Sequence, residues 1–326
     1  MRAIALEEFG SPDVLKQIDV SEPLPGPGQV TIDVAYAGVN FHDLMTRSTG
    51  HRVRTLPYVP GIEVSGSIRD VGDGVTDLAR GQQVAAYVPN GGYAATVTAV
   101  AAGVVPLPTG VSLRMAASLT VALPTAYVLL YRVARLQEGD SVLVHSAAGA
   151  VGTVAAQLAR LGGASAVYGV ASSPAKADFA LEHGYDQVFS ASTFDLDVMR
   201  ATDGLGVDIA LDPLGGESLS RTLAVVRRFG RLVSFGNASG SPHVWQIGPE
   251  ETYTRGVSVG GFSLPRLAAS DPSLFRGICE LALRTTVDQR VTLPVTSEFD
   301  LADAAEAHRL IESRTSTGKL LLRVAA

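Results

Sequence analysis

A short apolar segment followed by a glycine-containing turn could bind a phosphate group. Residues 141–146 (SVLVHS) predict a buried strand, residues 147–152 (AAGAVG) a tight turn, and the following TVAAQLARLG a helix. A helix that begins in such a turn presents free amides and a positive dipole end to an anion. Gly149 lets the backbone approach a pyrophosphate, Gly152 lets the helix lie close to the strand, and Ala147 replaces the first glycine of the dinucleotide fingerprint. The predicted contact residues are Ala148, Gly149, Ala150, Val151 and Gly152.

The residues after the next apolar strand, AVYGV, indicate which dinucleotide is bound. Enzymes that use NAD present Asp or Glu there to the ribose hydroxyls. This chain has Ala171, Ser172, Ser173 and then Lys176. Hydroxyls and an ammonium suit a 2'-phosphate, and the missing carboxylate removes a charge that would repel it, so the sequence predicts NADPH. The alternative is that the serines only begin the next helix and that Lys176 is a solvated charge.

The six histidines provide no other recognisable chemistry. None has an evident serine or cysteine partner, so a hydrolytic triad is not predicted. His145 lies at a strand end and is expected to be packed, whereas His51 follows the Asn40 segment on a polar loop and is the one histidine candidate for the active site. His42 and Asp43 are possible metal ligands, but no tetrahedral partners accompany them, so no metal is predicted.

Composition excludes several classes of partner. The net charge of −6 and the pI near 5.5, without a dense Lys/Arg stripe, oppose nucleic-acid binding. A single cysteine, Cys279, fits a reducing compartment. Met115–Tyr131 has no charged residue, but it contains Pro124 and has no companion span, so a buried helix is expected rather than a membrane span. We therefore expect a cytoplasmic protein.

Two patterns of apolar residues predict the elements that position these candidate residues. The first hundred residues predict short strands separated by turns, at Arg2–Glu7, Gln29–Val39, Val64–Val71, Gln83–Val88 and Tyr93–Val100. From about Leu119, apolar helices alternate with continuously apolar strands, which is typical of a parallel sheet covered by helices. A helix at Leu301–Glu312 and a closing strand at Lys319–Val324 end the chain.

Many segments in order resemble the zinc-free quinone oxidoreductase branch of the medium-chain dehydrogenase/reductase superfamily, and the resemblance covers nearly the whole chain. The matching segments are GVNFHD (38–43), LPYVPGIEVSG (56–66), VGDGV (71–75), GGYA (91–94), VLVHSAAGAVG (142–152), SFGNASG (234–240) and ESRTSTGK (312–319). The resemblance implies an α/β protein, with a doubly wound Rossmann sheet and a GroES-like, barrel-type β domain. The expected domains are a catalytic domain at 1–118, an NADPH-binding Rossmann domain at 119–262, and a return to the catalytic domain at 263–326.

The resemblance also implies the roles of further residues. It places Asn40 and Thr125 beside the nicotinamide, where they join His51 as catalytic candidates. It assigns cofactor contacts to Phe235, Gly236, Asn237, Phe262, Ser263, Leu264 and the C-terminal Lys319. It further implies a homodimer, formed by pairing Rossmann edge strands at about Gly256–Gly260.

Zinc alcohol dehydrogenases are similar in outline but differ at the metal site. They have cysteine at the position of Asn40, histidine at that of Ile62, and usually a lobe with four cysteines. Only Glu63 of the zinc pattern remains in this chain. Without a Lewis acid, we expect an activated acceptor that delocalises the incoming charge.

Three functions remain open from the sequence. The first is NADPH-dependent reduction of a quinone. The second is reduction of the double bond of an enone, enal or acyl thioester, because NFHD resembles the NFRD stretch of polyketide enoyl reductase domains; Arg47, Arg52 and Arg54 could then form a basic rim for a phosphopantetheine arm. The third is an NADPH-binding structural or regulatory protein without catalysis.

Overall fold

The computed structural model describes residues 1–241, 247–288 and 291–324. These form two compact units, one of Met1–Pro124 with Pro265–Ala326 and the other of Thr125–Leu264. The sequence placed the corresponding boundaries after residues 118 and 262. Both ends of the chain enter the first unit because the C-terminal strand pairs with a strand near the N-terminus.

The elements follow in chain order. The strands are β1 (Arg2–Ala5), β2 (Lys16–Asp19), β3 (Gln29–Val39), β4 (Glu63–Val71), β5 (Gln83–Tyr87), β6 (Thr96–Val100), β7 (Val104–Pro106), β8 (Ser141–His145), β9 (Ala166–Ala171), β10 (Gln187–Ser190), β11 (Val207–Asp212), β12 (Val226–Ser234), β13 (Ser258–Gly261), β14 (Val295–Asp300) and β15 (Lys319–Arg323). The α-helices are α1 (Phe41–Thr49), α2 (Leu113–Leu119), α3 (Ala122–Tyr127), α4 (Ala150–Leu161), α5 (Pro174–Leu181), α6 (Phe194–Ala201), α7 (Gly216–Ala224), α8 (Leu264–Ser270), α9 (Pro272–Val287) and α10 (Ala304–Glu312).

The first unit is built on a seven-stranded sheet in the order β14-β15-β3-β4-β5-β7, with β6 also paired to β3. Val30, Ile32 and Val34 of β3 are buried because alternate residues of a strand share one face. Antiparallel pairing aligns Leu320 of β15 with Val39 of β3. The start of β15 therefore lies at the end of β3, immediately before α1.

The second unit contains a six-stranded sheet in the order β10-β9-β8-β11-β12-β13, in which all five neighbouring pairs of strands are parallel. Val142, Leu143 and Val144 of β8 are all 0% exposed, as a central strand covered on both faces requires. The chain order reverses between β8 and β11, and ligands of doubly wound sheets bind outside the carboxyl ends of the strands at such a point. The predicted fold class is confirmed.

The uncharged segment Met115–Tyr131 differs from the single helix that was expected. It forms α2 and α3, and α3 continues as a π-helix over Val128–Val133. Leu119, Leu123 and Leu129 are buried, in agreement with the predicted core position. Across the described residues, no single helix has the length and apolar character needed to cross a membrane. Leu113–Leu119 and Ala122–Val133 reach that length and apolar character only when they are taken together, and the two are bent by 41° relative to each other.

Candidate active site

The turn between β8 and α4 has the geometry that the sequence predicted for a phosphate site. Ser146 adopts a left-handed φ of 55°, and its carbonyl accepts the Gly149 N–H over 2.9 Å. Gly149 precedes the first residue of α4, so the next amides have no acceptor within the helix. A Cβ on Gly152 would lie 2.5 Å from the Ser146 carbonyl oxygen and 2.7 Å from that of Ala147. Only glycine fits at position 152 without moving backbone.

The other predicted cofactor residues of this unit follow strands of the same sheet. Ser172 and Ser173 follow β9, Phe235–Asn237 follow β12, and Phe262–Leu264 follow β13. Because the strands are parallel, their carboxyl ends share one edge with the turn after β8. Phe235 N–H donates to the Asp212 carbonyl over 3.0 Å and Phe262 N–H to the Ser234 carbonyl over 3.1 Å, which ties these segments to neighbouring strand ends.

Ser173 is a helix cap, as the alternative interpretation of this segment required. Its Oγ accepts the Lys176 N–H over 3.4 Å at the start of α5. Ser172 and Ser173 are exposed and Lys176 is half-buried. A capping hydroxyl keeps its own hydrogen, so Ser173 can still donate to a phosphate. The 2'-phosphate contacts therefore remain a prediction.

Asp212 and His145 have structural roles beneath this edge. Asp212 Oδ1 accepts the N–H groups of Leu214 and Gly215 over 2.6 and 2.9 Å. His145 Nε2 lies 2.8 Å from Thr222 Oγ1, and burial lowers the pKa of His145 to about 4. Its imidazole is therefore neutral and packed, as the sequence indicated.

A buried cluster in the first unit joins Asn40, Glu63 and Lys319. The Lys319 ammonium donates to Asn40 Oδ1 over 2.7 Å and to Glu63 Oε2 over 2.6 Å. Asn40 Nδ2 donates to Glu63 Oε2 and to the Gly38 carbonyl, both over 3.1 Å. The other Glu63 oxygen accepts the Val121 N–H over 2.6 Å. The Lys319 and Glu63 side chains are 1% and 0% exposed, so each charge is neutralised by the other inside the protein.

The sheet explains why these residues meet. Asn40 follows the last residue of β3, Glu63 begins β4 and Lys319 begins β15. Both β4 and β15 pair with β3, so the three side chains arrive at one end of three adjacent strands. The sequence predicted Lys319 as a cofactor contact. Its ammonium donates to Asn40 and Glu63, and its contact with the cofactor stays a prediction.

Asp43 holds the backbone around this cluster. Its carboxylate accepts the N–H groups of Asn40 over 2.9 Å and Gly61 over 3.2 Å, and the Tyr93 hydroxyl over 3.4 Å. Burial raises the pKa of Asp43 to about 7, against the effects of the Asn40 N–H and the Lys319 charge. The Tyr93 hydroxyl also lies 3.2 Å from His308 Nε2, and burial lowers the pKa of His308 to about 3. Sequence reasoning missed this group because its members are distant in the chain.

The loop after α1 contains the remaining candidates. His51 is exposed, and its ring centre lies 5.9 Å from that of His42. The pKa of His51 is lowered, mainly because part of its ring is shielded from water and, to a smaller extent, because the Arg52 charge is near. Its catalytic role remains a prediction. Arg47 cannot belong to a basic rim, because it is fully buried and paired with Glu312 of α10.

The structure also describes the surroundings of Thr125 and the arrangement of possible metal ligands. Thr125 lies in α3 and is 7% exposed. Within residues 1–241, 247–288 and 291–324, no group of three His, Cys, Asp or Glu side chains is arranged to hold a metal ion.

Comparison with known proteins supports the predicted family. The description "Alcohol dehydrogenase GroES-like domain" matches residues 26–109, and "Zinc-binding dehydrogenase" matches residues 150–280. The chain is 36% identical over 331 residues to a quinone oxidoreductase of Mus musculus, covering 99% of this chain and 97% of that protein. The chain belongs to the quinone oxidoreductase branch of the medium-chain dehydrogenase/reductase superfamily.

Two further proteins are similar to this chain over most of its length. The structure of Escherichia coli quinone oxidoreductase complexed with NADPH matches with a TM-score of 0.92 and 27% identity, over 99% of this chain and 100% of that one. A mycocerosic acid synthase-like polyketide synthase of Mycobacterium tuberculosis is 32% identical over 307 residues, which cover 92% of this chain and 14% of that longer protein. Membership of the superfamily therefore includes stand-alone quinone reductases and domains of polyketide synthases.

Proposed function

We propose that this NADPH-dependent oxidoreductase transfers a hydride to a quinone without a metal ion. The observation that carries the proposal is the near full-length similarity to quinone oxidoreductases. Transfer without a metal is supported by the buried Lys319–Glu63 ion pair beside Asn40, the position at which the family resemblance places a cysteine ligand in zinc dehydrogenases. The NADPH assignment is supported by the NADPH-bound E. coli relative. It is also supported by the segments that follow the carboxyl ends of the strands in the second unit of this chain. A quinone that takes up one hydride and one proton becomes a hydroquinone.

The residues of the second unit fit the cofactor. The free amides that follow Gly149 can bind the pyrophosphate, and Gly152 keeps the helix close enough for them to do so. No carboxylate follows β9 within the sequence ASSPAK, so a 2'-phosphate meets no repulsion there. Lys176 and the serine hydroxyls would hold this phosphate. When bound, NADPH supplies the hydride from its nicotinamide.

The first unit supplies the polar groups proposed to lie beside the nicotinamide. Asn40 is half-buried at the end of β3, and its amide is held by two charged neighbours. Thr125 and His51 are the further proposed catalytic residues. Their task is to hold the reacting atoms in line and exclude water, because a quinone already delocalises the negative charge that it receives.

Metal-independent transfer is supported by the donor set. Asn40 and Ile62 stand where zinc dehydrogenases have a thiolate and an imidazole, and neither is a good zinc ligand. The Lys319 ammonium already neutralises Glu63, so a cation added there would be repelled. Elemental analysis of purified protein and NADPH oxidation in strong chelator test this point. One tightly held zinc per chain, lost together with activity, would contradict it.

Turnover of NADPH with a matched panel of acceptors tests the function. The panel contains 1,4-benzoquinone, a naphthoquinone, an enone and a crotonyl thioester. We expect the quinones to have the highest kcat/KM and the Asn40→Ala variant to lose most of that activity. Oxidation of NADPH without dependence on any acceptor in the panel would contradict an oxidoreductase of this type.

Double-bond reduction is the second candidate. It is favoured by the NFHD segment at residues 40–43 and by the similarity to a polyketide synthase. Arg52 and Arg54 are exposed and could contact an acyl carrier arm, whereas Arg47 is buried. A higher kcat/KM for the crotonyl thioester than for every quinone would assign this function instead.

A homodimer is also proposed, through the edge of the Rossmann sheet. Among the residues that the structure describes, β13 (Ser258–Gly261) is the last strand at that edge, and it overlaps the predicted segment Gly256–Gly260. An unpaired edge can continue its hydrogen bonding into a second copy. Sedimentation equilibrium should give twice the chain mass, and a proline at Val259 should reduce it to one chain.

A further inference from the structure

The loop after α1 folds back toward the beginning of that helix. His42 lies in the first turn of α1, whereas His51 follows the C-terminal cap, Gly50. A separation of nine residues corresponds to about 13 Å along the axis of an α-helix. The ring centres of His42 and His51 are nevertheless only 5.9 Å apart. The loop at residues 50–54 therefore lies close to the turn of α1 that follows Asn40.

A tight turn in this loop holds Arg52 in an unfavourable backbone conformation. The Val53 N–H donates to the Gly50 carbonyl over 3.0 Å, so Arg52 is the third residue of the turn. Its φ of 62° lies in the left-handed region, which favours glycine at this place in a turn. Other residues that are held in this region are concentrated at functional sites. The turn thus keeps a cationic side chain where its backbone favours a residue without one.

The Arg52 charge lies near two imidazole rings and one phenol ring. Burial is the main cause of the lowered pKa values of His42 and His51, and the Arg52 charge lowers both further. Burial raises the pKa of Tyr87 to about 12, and the Arg52 charge opposes that rise. Tyr87 is aligned with Glu63 in the pairing of β5 with β4. These rings therefore adjoin the end of the sheet at which Asn40 and Glu63 lie.

Arg52 has no counter-ion among residues 1–241, 247–288 and 291–324, where its exposed guanidinium forms neither a hydrogen bond nor an ion pair. The carboxylates of Asp43 and Glu63 are 1% and 0% exposed, and Glu63 is already paired with Lys319. The lowered pKa values leave both imidazoles neutral at neutral pH. The loop therefore presents one accessible positive charge beside flat rings, which suits a planar ligand that carries an anionic group.

We propose that Arg52 is a specificity-determining residue that binds a negatively charged oxygen of the electron acceptor, with His42, His51 and Tyr87 around it. The inference rests on the proposed function, in which this end of the first unit receives a quinone. The oxygen has one of two sources. It belongs to an acidic substituent, such as a carboxylate or a sulfonate, or it gains its charge when the quinone has accepted the hydride and not yet the proton. A guanidinium can donate two parallel hydrogen bonds to such a group.

Kinetics with two related acceptors distinguish the two sources. The acceptors are 1,2-naphthoquinone and its 4-sulfonate, and each variant is compared with the unmodified protein on the same acceptor. If Arg52 binds an acidic substituent, Arg52→Gln should raise the KM for the sulfonate about tenfold and leave the neutral quinone unchanged. If the charge forms during the reaction, Arg52→Gln should slow hydride transfer to both acceptors about tenfold. Arg52→Lys, which keeps the charge, should recover part of either loss.

Arg135→Gln is the matched control for these variants. Arg135 is also an exposed arginine with a left-handed φ, 53°, but it belongs to the second unit and precedes the amino end of β8. The substitution therefore removes the same charge from the same type of backbone position. We expect Arg135→Gln to reduce both acceptors as the unmodified protein does.

Histidine titration by NMR detects the bound anion without relying on activity. The chain has six histidines, and His42→Asn and His51→Asn identify the two signals of interest by their disappearance. Naphthalene-2-sulfonate, which accepts no hydride, should raise the pKa of His51 because a nearby anion stabilises the imidazolium. Arg135→Gln should keep this response, whereas Arg52→Gln should require about tenfold more sulfonate for it.

Two results would overturn the inference. One is an Arg52→Gln variant that equals Arg135→Gln with both naphthoquinones. The other is a His51 titration that naphthalene-2-sulfonate leaves unchanged in the unmodified protein. A protein that reduces no quinone at all would instead refute the proposed function, while the histidine titration still reports whether an anion binds beside Arg52.

Discussion

Substitution of Gly152 by alanine should damage the fold and cofactor binding together. The added Cβ would lie 2.5 and 2.7 Å from two carbonyl oxygens and 2.9 Å from the Ala147 carbonyl carbon. These are backbone atoms of the turn itself, so the clash is relieved only if α4 moves away from β8. Overpacking of this kind costs about 1–3 kcal/mol. For a protein of this size, that corresponds to a Tm lower by roughly 2–10 °C.

Two other glycines provide matched controls. A Cβ on Gly149 would have only one close neighbour, the Ser146 carbonyl oxygen at 3.2 Å, and the φ of −82° is ordinary. Gly149→Ala should therefore keep the Tm but weaken NADPH binding, because the methyl group lies where the pyrophosphate approaches. Gly277 lies inside α9 with nothing within 4 Å of its Cβ position, so Gly277→Ala should raise stability by up to about 1 kcal/mol.

Urea unfolding and NADPH fluorescence titration measure the two effects separately. We expect Gly152→Ala to lose both stability and affinity, and Gly149→Ala to lose affinity alone. If Gly152→Ala unfolds at the same urea concentration as the unmodified protein and binds NADPH equally well, the steric argument for the turn is wrong.

Three further predictions concern charged side chains. Lys176→Ala should narrow the preference for NADPH over NADH by about 1–3 kcal/mol, measured from the two Kd values; equal binding of both cofactors by the unmodified protein would show that Lys176 contacts no phosphate. Lys319→Met should cost about 3–5 kcal/mol in urea unfolding because it strands a buried carboxylate, and adding Glu63→Gln should recover part of this loss; an unchanged midpoint would contradict the buried pair. The raised pKa of Asp43 means that the folded state holds a proton that the unfolded state releases, so its contribution to stability is lost as the pH rises from about 4 through about 7. The stability difference between the unmodified protein and Asp43→Asn should change across that range and level off above it, and a constant difference would rule out the raised pKa.

Local sequence patterns were sufficient for most of the fold. Gln29–Val39 forms a strand with the predicted bounds, and the strand predicted at residues 141–146 spans Ser141–His145, because alternating or continuous apolar residues specify a buried strand without reference to the rest of the chain. The short strands β2, β7 and β10 were not predicted. They have three or four residues each, too few to show a period, and are defined by pairing with partners elsewhere.

The uncharged segment at residues 115–131 shows a different limit. Its composition indicated burial, which the structure confirms, but not the break between α2 and α3 or the π-helix that follows. Helical hydrogen bonds shift by one residue at low cost, and packing decides where they do so. Periodicity alone does not locate such a break.

The turn after β8 and the Asn40 cluster differ in how far apart in sequence their contacting residues lie. Gly149 and Gly152 were recognisable in sequence because the strand, turn and helix that use them are contiguous, and the short contacts of Gly152 are made with its own neighbours. Lys319 lies 279 residues from Asn40 and 256 from Glu63, and only the pairing of β15 and β4 with β3 brings these side chains together. The sequence by itself therefore determined the family, the two kinds of domain, and the strand, turn and helix that are proposed to bind the pyrophosphate. Tertiary structure alone decided that a buried ion pair surrounds Asn40, because hydrogen bonds and charges act over a few ångströms in space, whatever the separation along the chain.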